Sequence, residues 1–371
     1  MSNGLFQFKR ALQVFGCEPE MLATRGISPT SLPPFARSVA DNRQLKSWSL
    51  SELPLVGQKV GFMKKPKTPI AIAVFVTKGG VLKSSLTLNL ARLAALHGLR
   101  TCVVGLDMQG DITEALSAET REDSTDDESL EEALAKMNRL RGLADVFSGE
   151  ATLDDVIQAT DVPNLSLIPE TPELVALDQS LVVRNRREYW LRDQVVIPLK
   201  ERFDLVLMDC SPNWNRLITN ALVAADALVS PVECKINNFR NLKTFRALIA
   251  EFKNEMGTNF KHVYVATRLS PARKLSREIY DWYRSNLPAC TETAIRESVQ
   301  GEEAMALKIS IPEYAPISAA ADEMRTLIEE IWLGIGQDSI QGDTDVAWTR
   351  RSEKENTHGG EKILERREAR T

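Results

Sequence analysis

Eight consecutive residues, Lys78, Gly79, Gly80, Val81, Leu82, Lys83, Ser84 and Ser85, combine two lysines, two adjacent glycines and two hydroxyls. That mixture suits an anion. Adjacent glycines let backbone N–H groups curl round a phosphate with no Cβ in the way. Lys83 would bring positive charge to β and γ phosphates, and Ser84 would place a hydroxyl on Mg²⁺. Two aspartates lie far along the chain but share a setting, since Asp107 and Asp209 each end a short apolar run. Leu205-Val206-Leu207-Met208 followed by Asp209 has the form of a Walker B strand, whose aspartate holds Mg²⁺ through water. The same letters admit a plainer account: a tight strand-to-helix turn with a surface lysine, and carboxylates that only cap turns or helices.

The elements that must position these groups decide between the two. Residues 70–76 form a short, apolar, β-branched run, as a strand buried on both faces of a parallel sheet should. Beyond the loop, Leu86, Leu90 and Leu93 fall on one helical face, and Gly98 fits the C-terminal cap of that helix. Further strands are predicted over 101–106, 165–168, 203–209, 227–232 and 262–267. Helices are predicted over 174–190, 239–252 and 324–332, with a helix pair over 143–157 broken near Gly149. Strands alternating with helices give an α/β fold, a doubly wound and mostly parallel sheet. Such sheets bind ligands at the carboxyl ends of their strands, and Lys83, Asp107 and Asp209 all fall at such ends.

Residues 1–63 read as a separate, helical unit. Leu5, Phe8, Leu12 and Phe15 recur at helical steps, a short helix over 17–25 ends at Gly26, and Ser49 with Glu52 reads as a helix start. Short helices with tight turns suit a helix-turn-helix-like DNA-binding domain, with Arg37, Arg43 and Lys46 facing phosphates; a helical dimerisation arm suits them equally. Residues 64–69, Lys-Lys-Pro-Lys-Thr-Pro, form a linker. The acidic stretch 117–132 reads as a solvated excursion, and 334–371 as a polar, disordered tail.

A net charge of -5 in 371 residues excludes wholesale electrostatic binding to nucleic acid, while leaving room for a local basic patch. Five cysteines without CxxC spacing and three scattered histidines suit a reducing cytosol and offer no zinc site. The first residues, MSNGLFQFKRAL, lack the apolar core of a signal peptide, and no run is long enough to span a bilayer.

Taken together, VTKGGVLKSSLTLNLARLAALHGLR, VVGLDMQGDITEAL, FDLVLMDCSPNWNRLITNALVAADALVSPVE and AMALKISIPEYAPISAAADEM resemble the ParA family of partition ATPases, within the deviant-Walker P-loop group that includes MinD. The stretches stand in family order and cover residues 69–332, so residues 70–333 are expected to form the ATPase domain. The resemblance implies ATP and Mg²⁺ as ligands, with Lys78, Gly79, Gly80, Val81, Leu82, Lys83, Ser84 and Ser85 around the phosphates. Lys78 resembles the signature lysine that reaches ATP bound by the partner subunit, which implies a nucleotide-sandwich homodimer. Asp107 resembles the carboxylate that orients the attacking water, and Asp209 the Walker B acid that, with Ser84, holds the metal. The resemblance further implies a ParB-type centromere-binding partner, nonspecific DNA in the ATP state, no membrane contact, and a cytoplasmic, nucleoid-associated protein. Arg268, Arg273, Lys274 and Arg277 are the candidate DNA contacts. Residues 42–66 resemble the end of the extension with which larger plasmid-type members bind operator DNA.

Two positions depart from the family pattern. Leu82 stands where family loops have glycine, at a cost of about 1–2 kcal/mol if the position needs positive φ. Gly105 stands where many relatives carry a further acidic residue. A second reading follows from Leu82: a nucleotide-sensing transcriptional repressor with little or no turnover. A MinD-like membrane ATPase lacks the required amphipathic tail, and a nitrogenase-type reductase lacks cluster-forming cysteine spacing.

Overall fold

The structure, a computed structural model, describes residues 5–40, 43–117 and 140–336. All but Ser117 of the acidic stretch 117–132 lies outside them, and so does the tail expected over 334–371 except 334–336, which are ordered as the end of the helix Ala319–Gly336. The centre is an eight-stranded sheet of β4 (Ile70–Val74), β5 (Thr101–Leu106), β6 (Gln158–Ala159), β7 (Leu165–Ile168), β8 (Leu205–Cys210), β9 (Ala227–Glu233), β10 (Lys261–Leu269) and β11 (Ile295–Arg296). The spatial order is β11-β10-β9-β4-β8-β5-β7-β6. Every neighbouring pair is parallel except β6 with β7.

Burial on two faces is written into β4. Ile70, Ile72 and Val74 join one hydrophobic cluster, while Ala71, Ala73 and Phe75 join the other. Alternate residues point to opposite faces of a strand, so one segment anchors both helical layers. The helix α4 (Lys83–Leu96) follows the loop and packs on the first face.

The predicted strands and the helix pair broken at Gly149 are present, Gly149 standing at φ 83. A single helix over 174–190 is not. The helix Leu174–Ser180 gives way to two 3₁₀ turns, Arg186 stands at φ 53, and a π-helical turn, Arg192–Val196, follows. Leu174, Leu177 and Leu181 are buried in the core, but residues 182–187 are all exposed, and the β-branched Val182 and Val183 stand where burial stops sustaining the helix.

The N-terminal residues differ most from expectation. Among the described residues the expected short helices are present as α1 (Phe8–Val14), α2 (Met21–Thr24) and α3 (Leu53–Val60). β1 (Leu5–Gln7), β2 (Ala36–Ala40) and β3 (Arg43–Ser49) make an antiparallel sheet ordered β1-β3-β2 where a helix-turn-helix-like unit was expected. Trp48 explains the change. Its ring is fully buried, 4.9 Å from that of Phe35 and 5.5 Å from that of Phe8, and its Nε1 donates to the Pro33 carbonyl at 3.1 Å. Such tertiary packing overrides weak helical propensity. The Ser49–Glu52 pairing does form, with the Ser49 N–H donating to the carboxylate at 2.7 Å, although the helix begins only at Leu53. Arg37 and Arg43 therefore lie on strands, and Lys46 is exposed on β3.

α3 lies hard against the end of α4. A Cβ on Gly57 would stand 2.0 Å from the Leu96 carbonyl oxygen, and one on Gly61 2.1 Å from His97 Cδ2. His97 sits between Phe15 and Phe62, with ring centroids at 5.2 and 4.4 Å. Leu12, Trp48, Leu53 and Val56 share one apolar cluster with Leu90 and Leu93 of α4. The lysine-rich segment after α3 is tied down too. The Trp332 indole donates to the Lys64 carbonyl at 3.2 Å, and Lys65 pairs with Asp204 at 3.1 Å.

Candidate functional site

The loop between β4 and α4 turns on two left-handed residues, Gly80 at φ 70 and Leu82 at φ 72. Among the described residues nothing lies within 4 Å of where a Cβ on Gly79 or Gly80 would be, so the loop borders open space there. Val81 is buried and pins the middle of the loop to the apolar layer behind it. Lys83 is buried as the first residue of α4, where backbone N–H groups and the helix dipole favour an anion. Its ammonium lies 3.4 Å from the Lys78 carbonyl, and the Lys78 side chain is exposed.

Asp209 is the hub on the facing strand and is fully buried. The Ser84 hydroxyl donates to its Oδ2 at 2.6 Å and the Thr87 hydroxyl to its Oδ1 at 2.8 Å. Burial pushes this carboxyl up to about 6, against the pull of both hydroxyls and the Lys83 ammonium. A buried carboxylate beside a hydroxyl at a helix start is suited to a hard dication, which prefers oxygen ligands. Ser84 and Asp209, expected at the metal, are thus brought together, and Thr87 joins them. Thr87 was legible as the residue one turn after Lys83.

Sheet register delivers Asp107 to the same edge. Gly105 pairs with Asp209, so Asp107 stands two residues further along β5's exit. It is buried, and its Oδ1 accepts from the Gln109 N–H at 3.2 Å. Its own N–H donates to Glu170 Oε1 at 3.3 Å. Burial, and then the charge of Asp209, push the Glu170 carboxyl up to about 8. Sequence reasoning missed Glu170, although it too is an acid just past a strand end.

A cavity of about 470 Å³ opens beside the start of α4. Leu82, Ser85 and Asn89 line one side, and Arg268, Arg296 and Met305 the other. The Leu82 side chain therefore borders this cavity. Arg268 was a candidate DNA contact, yet its Nε donates to the Gly80 carbonyl at 3.0 Å and its guanidinium pairs with Glu297 at 3.3 Å. Arg268 braces the loop, whereas Arg273, Lys274 and Arg277 are exposed at the start of the helix Lys274–Asn286. Among the described residues no helix is long and apolar enough to cross a membrane.

A parallel sheet whose central strand runs through a glycine turn into Lys-Ser at a helix start, with a buried aspartate on the next strand, defines a P-loop nucleoside triphosphatase. Residues 70–262 match the model of the AAA domain family. The chain belongs to that family, among its ParA-type partition ATPases. It is 27% identical over 265 residues to the sporulation initiation inhibitor protein Soj of Bacillus subtilis, covering 70% of this chain and 97% of that one. It is 24% identical over 286 residues to the chromosome partitioning protein ParA of Myxococcus xanthus, covering 76% and 91%. Among solved structures, cobyrinic acid a,c-diamide synthase from Mycobacterium smegmatis with bound ATP analog and magnesium superposes with a TM-score of 0.53 at 25% identity, covering 64% and 91%.

Proposed function

We propose that this chain binds ATP with Mg²⁺ at the β4–α4 loop, pairs with a second copy around the nucleotide, and hydrolyses it to drive DNA partitioning. The observation that carries the reading is the Ser84–Asp209–Thr87 cluster beside buried Lys83, at the mouth of a loop with open space over Gly79 and Gly80. The donor set fits the ligands: N–H groups and Lys83 for phosphate, a hydroxyl and a carboxylate for the metal. Ser84 would ligate Mg²⁺ directly and Asp209 through water, and the ion would neutralise charge on the phosphates. The cavity beside Leu82 and Ser85 has room for the ribose and base.

Lys83 holds the phosphates in its own subunit. Exposed Lys78 reaches the nucleotide of the other subunit, so association supplies charge that a lone subunit lacks. Asp107 orients the attacking water. Phosphoryl transfer asks mainly for positioning and charge, which these residues supply. A ParB-type DNA-binding partner then stimulates turnover, and nonspecific duplex DNA binds the dimer through Arg273, Lys274 and Arg277.

Leu82 favours a second reading, because a leucine held at φ 72 stores strain in the phosphate-binding turn. In it the chain is a nucleotide-sensing repressor with little turnover, and its N-terminal residues contact operator DNA. ATP hydrolysis measured alone, with duplex DNA, and with DNA plus the partner separates the two. Stimulation of tenfold or more supports partitioning; ATP binding without stimulation supports the repressor.

A further inference from the structure

Gly105 is the penultimate residue of β5, and it has no room for a side chain. A Cβ there would stand 2.2 Å from Glu170 Cγ and 2.8 Å from its Cδ. Glu170 reaches this volume from the next strand, because β5 and β7 pair through Val104 with Ile168, and Glu170 follows two residues later. The side chain is buried and both its oxygens are used. Oε1 accepts from the Asp107 N–H at 3.3 Å and Oε2 from the Thr113 N–H at 3.2 Å. In return the Glu170 N–H donates to the Thr113 hydroxyl at 2.7 Å.

These bonds hold both ends of one turn. Asp107 opens it, and Thr113 lies in the first turn of the helix α5 (Asp111–Leu116). The cap residue of α5 is Gly110, which has no side chain to accept an orphan N–H. Glu170 supplies that acceptor from another strand, and the same carboxyl group fixes the backbone from which the Asp107 side chain projects.

We propose that Glu170 is a positioning residue for Asp107, delivering from β7 the acidic group for which β5, with glycine at 105, leaves space. The proposal rests on the reading that Asp107 orients the attacking water. A displacement of about 1 Å in such a group costs on the order of a hundredfold in rate. Glutamine is a poor substitute, because one of its two ends is a donor and would face an N–H.

The test compares partner-stimulated ATP hydrolysis by the full-length wild type, Glu170→Ala, Glu170→Gln, and the double variant Gly105→Asp/Glu170→Ala. Hydrogen exchange at residues 107–113 and ATP–Mg²⁺ affinity are followed in each. Glu170→Ala should lower kcat at least tenfold, keep ATP affinity within about threefold, and expose the Asp107 and Thr113 amides. Glu170→Gln should fall between it and the wild type. The double variant, with an acid rooted on β5 in the vacated space, should recover most of kcat and of the amide protection. Wild-type kcat in Glu170→Ala, or equal loss of kcat and ATP affinity in both single variants, overturns the proposal. Asp107→Ala, measured alongside, isolates the underlying reading: should it turn over normally, that reading fails and the positioning role with it. A slow Asp107→Ala beside a fast Glu170→Ala rejects the positioning role alone.

Discussion

The two ends of α4 are built on opposite principles. At its start Leu82 is held in a left-handed conformation, Lys83 is buried, Ser84 bonds Asp209, and space lies open over Gly79 and Gly80. At its other end Leu96 and His97 meet α3 so closely that neither Gly57 nor Gly61 has room for a Cβ. One end keeps strain and borders open space; the other buries apolar surface that locks the helix in place. The contrast explains how a leucine survives at position 82. About 1–2 kcal/mol of strain at one residue is small beside the burial of Leu12, Trp48, Leu53 and Val56 against the same helix.

If the far end is the anchor, damage there should cost stability and spare the site. Gly57→Val should have the largest effect, about 3 kcal/mol, because the obstacle is the backbone oxygen of Leu96 and cannot swing aside. Thermal denaturation should show a midpoint lower by about 4 °C, with ATP affinity of the folded fraction unchanged. A stable Gly57→Val protein would break the contrast.

His97 gives the next effect. Burial holds its imidazole down at about 4, and its Nδ1 lies 2.6 Å from the Leu93 carbonyl oxygen. Below pH 6.5 the unfolded chain takes up a proton that the folded one refuses. This contribution is therefore intact above 6.5 and lost as pH falls towards 4, by about 2 kcal/mol between pH 7 and pH 5. Denaturant midpoints of wild type and His97→Gln across that range should converge by that amount; parallel curves would remove His97 from the anchor.

The smallest effect belongs to the strained end. Leu82→Gly should be more stable than Leu82→Ala by about 1 kcal/mol, reversing the usual order of the two residues, because only glycine accepts φ 72 without strain. Equal stability would mean that the loop relaxes and stores nothing.

The contrast also divides what could be read from the chain. The central sheet and the loop were legible because β4, β5 and β8 are continuous apolar runs and the acids sit at their ends. Leu82 could be flagged from its position, but its cost depended on a dihedral angle that no letter specifies. Gly105 looked like a missing acid because Glu170, just past the end of β7 and 65 residues further along the chain, meets it only through sheet register. In the N-terminal residues the local signals did find helices, since α1, α2 and α3 lie at or beside the helical spacing over Leu5–Phe15, the run before Gly26 and the Ser49–Glu52 pair. The strands were not legible, because the burial of Trp48 against Phe8 and Phe35, which sets them, is not local. Arg268 likewise read as surface charge until β10 brought it to the Gly80 carbonyl.

Calorimetric titration of the full-length protein with ATP in Mg²⁺, beside Lys83→Ala, tests the grip at the start of α4 most directly. The wild type should bind, and Lys83→Ala should lose at least a hundredfold in affinity, about 2.7 kcal/mol, while its melting temperature stays within a few degrees. No binding by the wild type, or equal binding by both, would contradict a phosphate site at this end of the helix.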